Sequence, residues 1–206
     1  MKGLNTNRWN RLRYSLYLPI YDLVASPFRG MRQMSLSWMR ASSEARDVLI
    51  VGAGTGLDLE FLSGHRIVAT DITPGMIRAL ERRAEGHNMA VEARVMDGQQ
   101  LEFEDQSFDV VVLHLILAVI PDPVRCLQEV ERVLRPGGEV LIMDKFGESG
   151  KVGVVRRLLN PITDTLFSAI DRDFNHILEQ TRLVKTKEEH LRWIFRRIKL
   201  EKRQNR

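Results

Sequence analysis

Short apolar runs alternate with helical patterns through the middle of the chain. V-L-I-V at residues 48–51 ends at a glycine-rich stretch, which is typical of a buried parallel strand. Similar runs predict four more strands, at residues 67–70, 91–96, 108–113 and 139–143. Apolar positions at helical spacing predict helices at residues 57–62, 74–83 and 124–134. Five strands alternating with helices predict an α/β fold: a doubly wound, mostly parallel sheet with helices on both faces.

The two ends of the chain have weaker patterns. Trp9, Leu12 and Leu16 share one face of a predicted amphipathic helix over residues 8–18, and Ser26-Pro27 predicts the start of a second helix. We therefore expect a basic helical lid over residues 1–45, followed by one domain over residues 46–206. After the fifth strand the pattern predicts a short basic helix, an irregular helical region and a closing strand, at residues 152–159, 162–190 and 193–200.

Charge is distributed unevenly along the chain. Residues 1–46 contain 8 Lys or Arg against 2 Asp or Glu, residues 47–150 contain 9 against 18, and residues 151–206 contain 14 against 7. Two basic ends around an acidic middle indicate that the ends meet an anionic partner. Apolar side chains mingle with the N-terminal Arg residues as in an interfacial helix, so we expect an anionic membrane surface. A merely solvated basic face is the alternative. Nucleic acid is not expected, because no binding module is recognisable.

Other features restrict the class of protein further. The longest apolar run, residues 110–120, contains His114 and is shorter than the roughly 20 residues of a membrane-spanning helix. Residues 1–20 lack the continuous apolar region of a secretory leader. The single cysteine, Cys126, excludes an internal disulfide and any multi-cysteine metal site, and no metal is expected. We expect a cytoplasmic monomer that associates peripherally with the inner face of the cell membrane.

The strongest chemical signal is the loop Gly52-Ala53-Gly54-Thr55-Gly56, which follows the first strand. Glycines there let the backbone turn tightly and approach a ligand. Asp71, at the end of the second strand, lies at the spacing at which an acid accepts both ribose hydroxyls of an adenosine. The third glycine is at the fifth position, whereas the dinucleotide pattern has it at the sixth. The loop therefore favours an adenosine ligand without phosphates.

The order and spacing of five motifs carry a family resemblance. V-G-A-G-T-G, A-T-D-I-T-P-G-M-I, V-M-D-G-Q, S-F-D-V-V-V-L-H-L-I-L-A-V-I-P-D-P and L-R-P-G-G-E-V-L-I-M-D resemble those of class I S-adenosylmethionine (SAM)-dependent methyltransferases, which have a Rossmann-like fold. The resemblance implies SAM as cofactor and S-adenosylhomocysteine as product. It places Asp71 at the ribose, Asp97 at the adenine rim and His114 near the sulfonium. The implied cofactor contacts are Tyr21, Gly52, Ala53, Gly54, Gly56, Asp71, Ile72, Met76, Asp97, Gly98, Gln99 and His114.

The segment R-Y-S-L-Y-L-P-I-Y-D-L at residues 13–23 resembles the N-terminus of two lipid-modifying branches of that family. One branch is the small bacterial phosphatidylethanolamine N-methyltransferases, and the other is the ubiquinone/menaquinone C-methyltransferases. The resemblance implies that this segment covers the cofactor, with Tyr21 in contact, and that the substrate is a membrane lipid. Methylation of RNA or of a soluble small molecule, and a non-catalytic SAM-binding role, stay open as alternatives.

Three side chains are candidates for the catalytic chemistry. A primary amine acceptor has a pKa of about 10.4 when it resembles Lys, so a group must lower that pKa or take the proton. Tyr14, Tyr21 and His114 are the candidates, and the sequence does not choose among them. For His114 two interpretations stay open: a histidine of the site at the end of a strand, or a core histidine with its hydrogen bonds satisfied.

Overall fold

The sheet determines the architecture of this protein. The computed structural model of the chain describes residues 6–146, 172–192 and 195–204, without the side chains of Tyr17, Pro19 and Arg192. The described strands form one seven-stranded sheet in the order β3-β2-β1-β4-β5-β7-β6. The first five strands are parallel, β7 is antiparallel to β5, and β6 is antiparallel to β7. The strands are β1 Asp47–Val51, β2 Arg66–Asp71, β3 Val91–Val95, β4 Phe108–His114, β5 Leu134–Lys145, β6 Val184–Arg192 and β7 Phe195–Glu201.

Helices cover both faces of the sheet, which confirms the predicted fold class. Alternate residues of each buried strand point to opposite faces. Leu49 packs with the cluster that includes Leu127, and Ile50 packs with the cluster that includes Leu80. Strand order reverses between β1 and β4, and ligands of open α/β sheets bind in the crevice at such a point. The described helices are α1 Asn7–Ala25, α2 Arg29–Leu36, α3 Pro74–Gly86, α4 Pro123–Val133 and α5 Phe174–Leu178.

Two predicted elements differ from the structure. The helix predicted at residues 57–62 is only a 3-10 turn, Leu59–Phe61, because the backbone leaves Gly56 at φ +82° and continues through turns. The helix predicted across residues 162–190 is wrong for its last part, which is strand β6. Its Lys and Glu residues favour a helix, but antiparallel pairing with β7 determines the strand. The helix predicted at residues 152–159 lies outside the described residues, and the closing strand is confirmed as β7.

Helix α1 lies over the carboxyl ends of the strands, and α2 packs on the face of the sheet that contains Leu141. Helix α1 begins at Asn7, and its cap residue Thr6 accepts a hydrogen bond from the Trp9 N–H. It continues past the predicted end at residue 18 as far as Ala25, where a 3-10 turn at Ser26–Phe28 leads into α2. Among the described residues, no helix is long and apolar enough to cross a membrane.

Candidate active site

A cavity opens at the carboxyl ends of β1, β2 and β4, beneath α1. Its outline encloses about 620 Å³, including the part open to solvent. The structure brings ten of the predicted site residues together in its lining: Tyr14, Tyr21, Gly52, Gly54, Asp71, Ile72, Met76, Asp97, Gly98 and His114. Ala53, Gly56 and Gln99 do not line the cavity.

The glycine loop turns at the floor of this cavity. Gly54 has φ +57°, and a Cβ atom there would lie 2.9 Å from the Tyr21 hydroxyl oxygen. A side chain at this position would therefore meet both backbone strain and α1. Gly98 is glycine for a different reason. A Cβ atom there would lie 2.7 Å from Val51 Cγ1 in the core below. The close packing of the site thus explains why both positions are glycine.

Asp71 fastens the loop to the end of β2. Its carboxylate accepts hydrogen bonds from the Gly54 N–H (3.0 Å) and the Thr73 N–H (2.8 Å). Burial raises the pKa of Asp71, and these two hydrogen bonds oppose that rise. A carboxylate offers about four lone-pair positions, so two remain for donors from the cavity. The structure thus leaves Asp71 able to accept two hydroxyls, as its predicted role at a ribose requires.

Asp97 forms the opposite rim of the cavity. It accepts hydrogen bonds from the Asn7 side-chain amide (2.5 Å) and from the Gln99 backbone N–H (3.0 Å). Gln99 lies behind it, where its side chain donates to Asp97 (3.0 Å) and accepts from the Asp122 N–H (2.8 Å). Gln99 therefore holds the Asp97 side chain in position. The hydrogen bond from Asn7 brings the first turn of α1 to this rim.

The other end of α1 is held over the glycine loop. The Thr55 hydroxyl donates to Asp22 Oδ1 (2.5 Å), and Arg83 of α3 pairs with Asp22 Oδ2 (2.5 Å). Arg83 also donates to the Thr55 carbonyl (2.8 Å). Asp22 therefore joins α1, the loop and α3, and it sets the neighbouring Tyr21 against Gly54. The predicted lid position of this segment agrees with these contacts.

His114 ends β4 within a buried polar network. Its Nδ1 lies 2.7 Å from Asp58 Oδ1 and its Nε2 lies 3.0 Å from Ser35 Oγ. Arg32 donates to Asp58 Oδ2 (2.6 Å), and all three charged or ionisable side chains are at most 4% exposed. Burial raises the pKa of Asp58, but the charges and hydrogen bonds of Arg32 and His114 outweigh it and lower the pKa to about 2. His114 therefore lines the cavity, and both of its ring nitrogens have hydrogen-bond partners in the protein.

The two tyrosines are neutral phenols. Burial raises the pKa of Tyr14 above its usual range, although Arg13 opposes the shift. Burial raises the pKa of Tyr21 more strongly, against the charge of Arg32. The rings pack edge to face with their centroids 6.4 Å apart. Both hydroxyls therefore suit hydrogen bonding to an acceptor or cofactor better than proton removal.

Sequence reasoning missed several polar residues of the site. Asn7 and Asn10 reach the cavity from α1, and Asn10 also donates to the Val119 carbonyl (3.1 Å). Asp58 was within reach, since it lies two residues after the last glycine of the loop. Arg32 and Ser35 gave no local signal, because Arg32 contacts Asp58 and Ser35 contacts His114 of β4, and both partners are distant in the sequence.

Known proteins resemble this chain in its middle part. Residues 49–142 match a family described as a methyltransferase domain. The chain is 40% identical over 124 residues to a phosphatidylethanolamine N-methyltransferase of Cereibacter sphaeroides, covering 58% of this chain and 61% of that relative. It is 37% identical over 99 residues to a demethylmenaquinone methyltransferase of Clavibacter sepedonicus, covering 47% and 40%. The chain thus spans less than two thirds of these relatives, and others are thiol and arsenite methyltransferases.

A solved structure agrees with the sequence comparison. The crystal structure of a SAM-dependent methyltransferase from Methanosarcina mazei has a TM-score of 0.65 and 25% identity, covering 80% of this chain and 95% of that one. The fold of this chain, its glycine loop and the region that the family matches therefore all resemble those of known methyltransferases. Residues 49–142 thus match a methyltransferase domain, and the chain resembles the class I SAM-dependent methyltransferases, including the phosphatidylethanolamine and quinone branches.

Proposed function

We propose that this protein transfers a methyl group from SAM to a membrane lipid, with the amine of phosphatidylethanolamine as first candidate. The observation that carries the lipid assignment is an exposed apolar face on α1, directly above the cavity. Helical spacing places this face opposite the cavity-lining residues of the same helix. Its side chains are between 51% and 77% exposed: Leu12, Leu16, Ile20, Leu23 and Val24.

Such a face favours an interfacial helix. Arg8 and Arg11 are exposed on the same helix, so apolar insertion and attraction to anionic lipids would act together. Each Lys or Arg at an anionic leaflet contributes about 1 kcal/mol. The face also contains Trp9, which is half-buried. Membrane docking would bring a lipid acceptor to the helix that already covers the cavity.

The residues of the cavity fit SAM. Asp71 has two unused acceptor positions for ribose hydroxyls, and the glycine loop lines the cavity at Gly52 and Gly54. Asp97 lines the rim, where an adenine amino group would replace one of its present donors, such as Asn7. When bound there, SAM supplies a methyl group that is activated by a positive sulfur. The protein's own contribution is to hold the acceptor in line with that methyl, which supplies about 7–11 kcal/mol of the barrier.

The acceptor amine has to be neutral when it reacts. The phenols of Tyr14 and Tyr21 have raised pKa values, and both ring nitrogens of His114 are engaged. We therefore infer that burial lowers the pKa of the amine itself, since a charged group loses hydration in the cavity. Tyr14 and Tyr21 then orient the neutral amine through hydrogen bonds.

Labelled SAM offers a direct test of the acceptor. The protein is incubated with labelled SAM and either phosphatidylethanolamine or a demethylated quinone, each in mixed micelles. Label in mono- or dimethylated phosphatidylethanolamine is the expected result. Label in the quinone alone would select the second lipid branch. Binding of S-adenosylhomocysteine without transfer to either lipid would contradict the proposal and favour a soluble substrate, RNA or a non-catalytic role.

Membrane docking is tested separately by co-sedimentation with neutral or anionic vesicles. Leu16→Gln with Leu23→Gln should reduce pelleting, and so should Arg8→Glu with Arg11→Glu or added salt. Val95→Gln is the matched control, because Val95 is an exposed apolar residue of β3 and does not belong to the apolar face of α1. Wild-type protein that stays in the supernatant with anionic vesicles would contradict docking.

A further inference from the structure

A buried arginine beside the cavity has no carboxylate partner among the described residues. Arg13 is only 8% exposed, and its Nε atom has no hydrogen-bond partner. Its Nη2 donates to the Asn10 side chain (3.1 Å), and its guanidinium lies 4.9 Å from the centre of the Tyr14 ring. Helical spacing places Arg13 where the cavity side of α1 meets the apolar face. A buried guanidinium normally has an anion to balance its charge.

A second positive charge near Arg13 belongs to the sheet. Lys145 is the last residue of β5, and in the part of the chain that the structure describes it forms no ion pair within 4.0 Å. Burial lowers the pKa of Lys145, the charge of Arg13 lowers it further, and Asp144 opposes both. Its ammonium lies 6.0 Å from the centre of the Phe195 ring. Arg13 therefore lies near enough to Lys145 for the two positive charges to repel each other.

The elements that carry Arg13 and Lys145 adjoin the wall of the cavity. The loop after β4 supplies Val119 to the cavity lining. Asn10 of α1 donates to the Val119 carbonyl (3.1 Å), and Asp144 of β5 accepts from the Ala118 N–H (2.9 Å). Helix α1 and the end of β5 are thus fastened to the same loop. The second oxygen of Asp144 accepts from the Lys145 backbone N–H (2.8 Å), so backbone groups hold both oxygens of this carboxylate in place.

We propose that Arg13 and Lys145 form a phosphate site for the head group of the acceptor. A guanidinium with an unused donor suits two phosphate oxygens, and the ammonium adds a third contact. In a phosphoethanolamine head group only two methylenes separate phosphate from amine. A phosphate held beside Tyr14 therefore directs the amine into the cavity, while the lipid tails follow the apolar face of α1. This inference rests on the proposed function for the identity of the lipid, but the phosphate site can be tested without catalysis.

Calorimetry on the protein loaded with S-adenosylhomocysteine tests the site itself. The probes are glycerophosphoethanolamine, inorganic phosphate and ethanolamine. We expect the first two to bind and ethanolamine alone to bind weakly. Arg13→Gln and Lys145→Gln should each weaken phosphate binding by about 10- to 100-fold, as loss of a charged hydrogen bond predicts. Arg82→Gln is the matched control, because Arg82 is exposed on α3, outside the proposed membrane-binding face.

The remaining outcomes separate this site from the proposed function. With phosphatidylethanolamine in neutral micelles, Arg13→Gln should raise KM for the lipid while kcat and the affinity for S-adenosylhomocysteine stay unchanged. An unchanged lipid KM in an enzyme that methylates phosphatidylethanolamine would overturn the site and leave the function standing. Phosphate binding that depends on Arg13, without any lipid methylation, would support the site and contradict the proposed function. If Arg13→Gln lowers both Tm and S-adenosylhomocysteine affinity, Arg13 is structural and the site is refuted. Binding of inorganic phosphate but not glycerophosphoethanolamine would refute a lipid head group.

Discussion

Replacing Asp58 with asparagine removes one negative charge from the buried network around His114 and changes little else in shape. In the native protein, Asp58 pairs with Arg32 at 2.6 Å and with His114 at 2.7 Å, and these side chains are 2%, 4% and 1% exposed. The neutral amide of the variant would leave the Arg32 guanidinium buried without a counter-charge. Breaking a buried pair in this way costs about 3–5 kcal/mol. For a chain of this size we expect Tm to fall by roughly 6–20 °C.

Urea denaturation followed by circular dichroism measures the change in the free energy of unfolding. Asp105→Asn is the control, because Asp105 pairs with Arg132 at 2.8 Å but its side chain is 70% exposed. We expect the control to lose no more than about 1 kcal/mol. Arg32→Met combined with Asp58→Asn should recover part of the loss, since neither charge is then buried alone. A variant Asp58→Asn as stable as Asp105→Asn would refute the reasoning from buried charge.

Three other perturbations probe contacts of the site. The pKa of Asp58 is about 2 instead of 3.8, so its stabilisation is complete above about pH 4 and is lost as pH falls towards 2; acid denaturation of Asp58→Asn should show a weaker pH dependence over this range. Asp71→Asn should weaken S-adenosylhomocysteine binding about tenfold or more in calorimetry, because a charged acceptor is lost. Gly98→Ala should destabilise by about 1–3 kcal/mol through contact with Val51, whereas Gly86→Ala, with no neighbour within 4 Å, should not in thermal denaturation.

The sequence could predict those parts of the structure in which local pattern and chemistry agree. Buried parallel strands such as β1 are apolar throughout, and a glycine loop followed by Asp71 has a spacing that its ligand chemistry explains. Strand β6 could not be predicted, because its Lys- and Glu-rich sequence favours a helix and only pairing with β7 makes it a strand. The contact between His114 and Ser35 was equally inaccessible, since Ser35 lies 79 residues away in the chain.

Helix α1 joins the cavity to the exposed apolar face, and no local pattern relates the two to each other. Its first turn reaches Asp97 through Asn7, and its last turns reach the glycine loop through Tyr21 and Asp22. Its outer side carries the exposed apolar face. A rigid helix that is tied to the cavity at both ends cannot change its contact with one surface without affecting the other. Under the proposed docking, thermodynamic reciprocity therefore requires that any effect of the bilayer on cofactor affinity equals the effect of the cofactor on affinity for the bilayer.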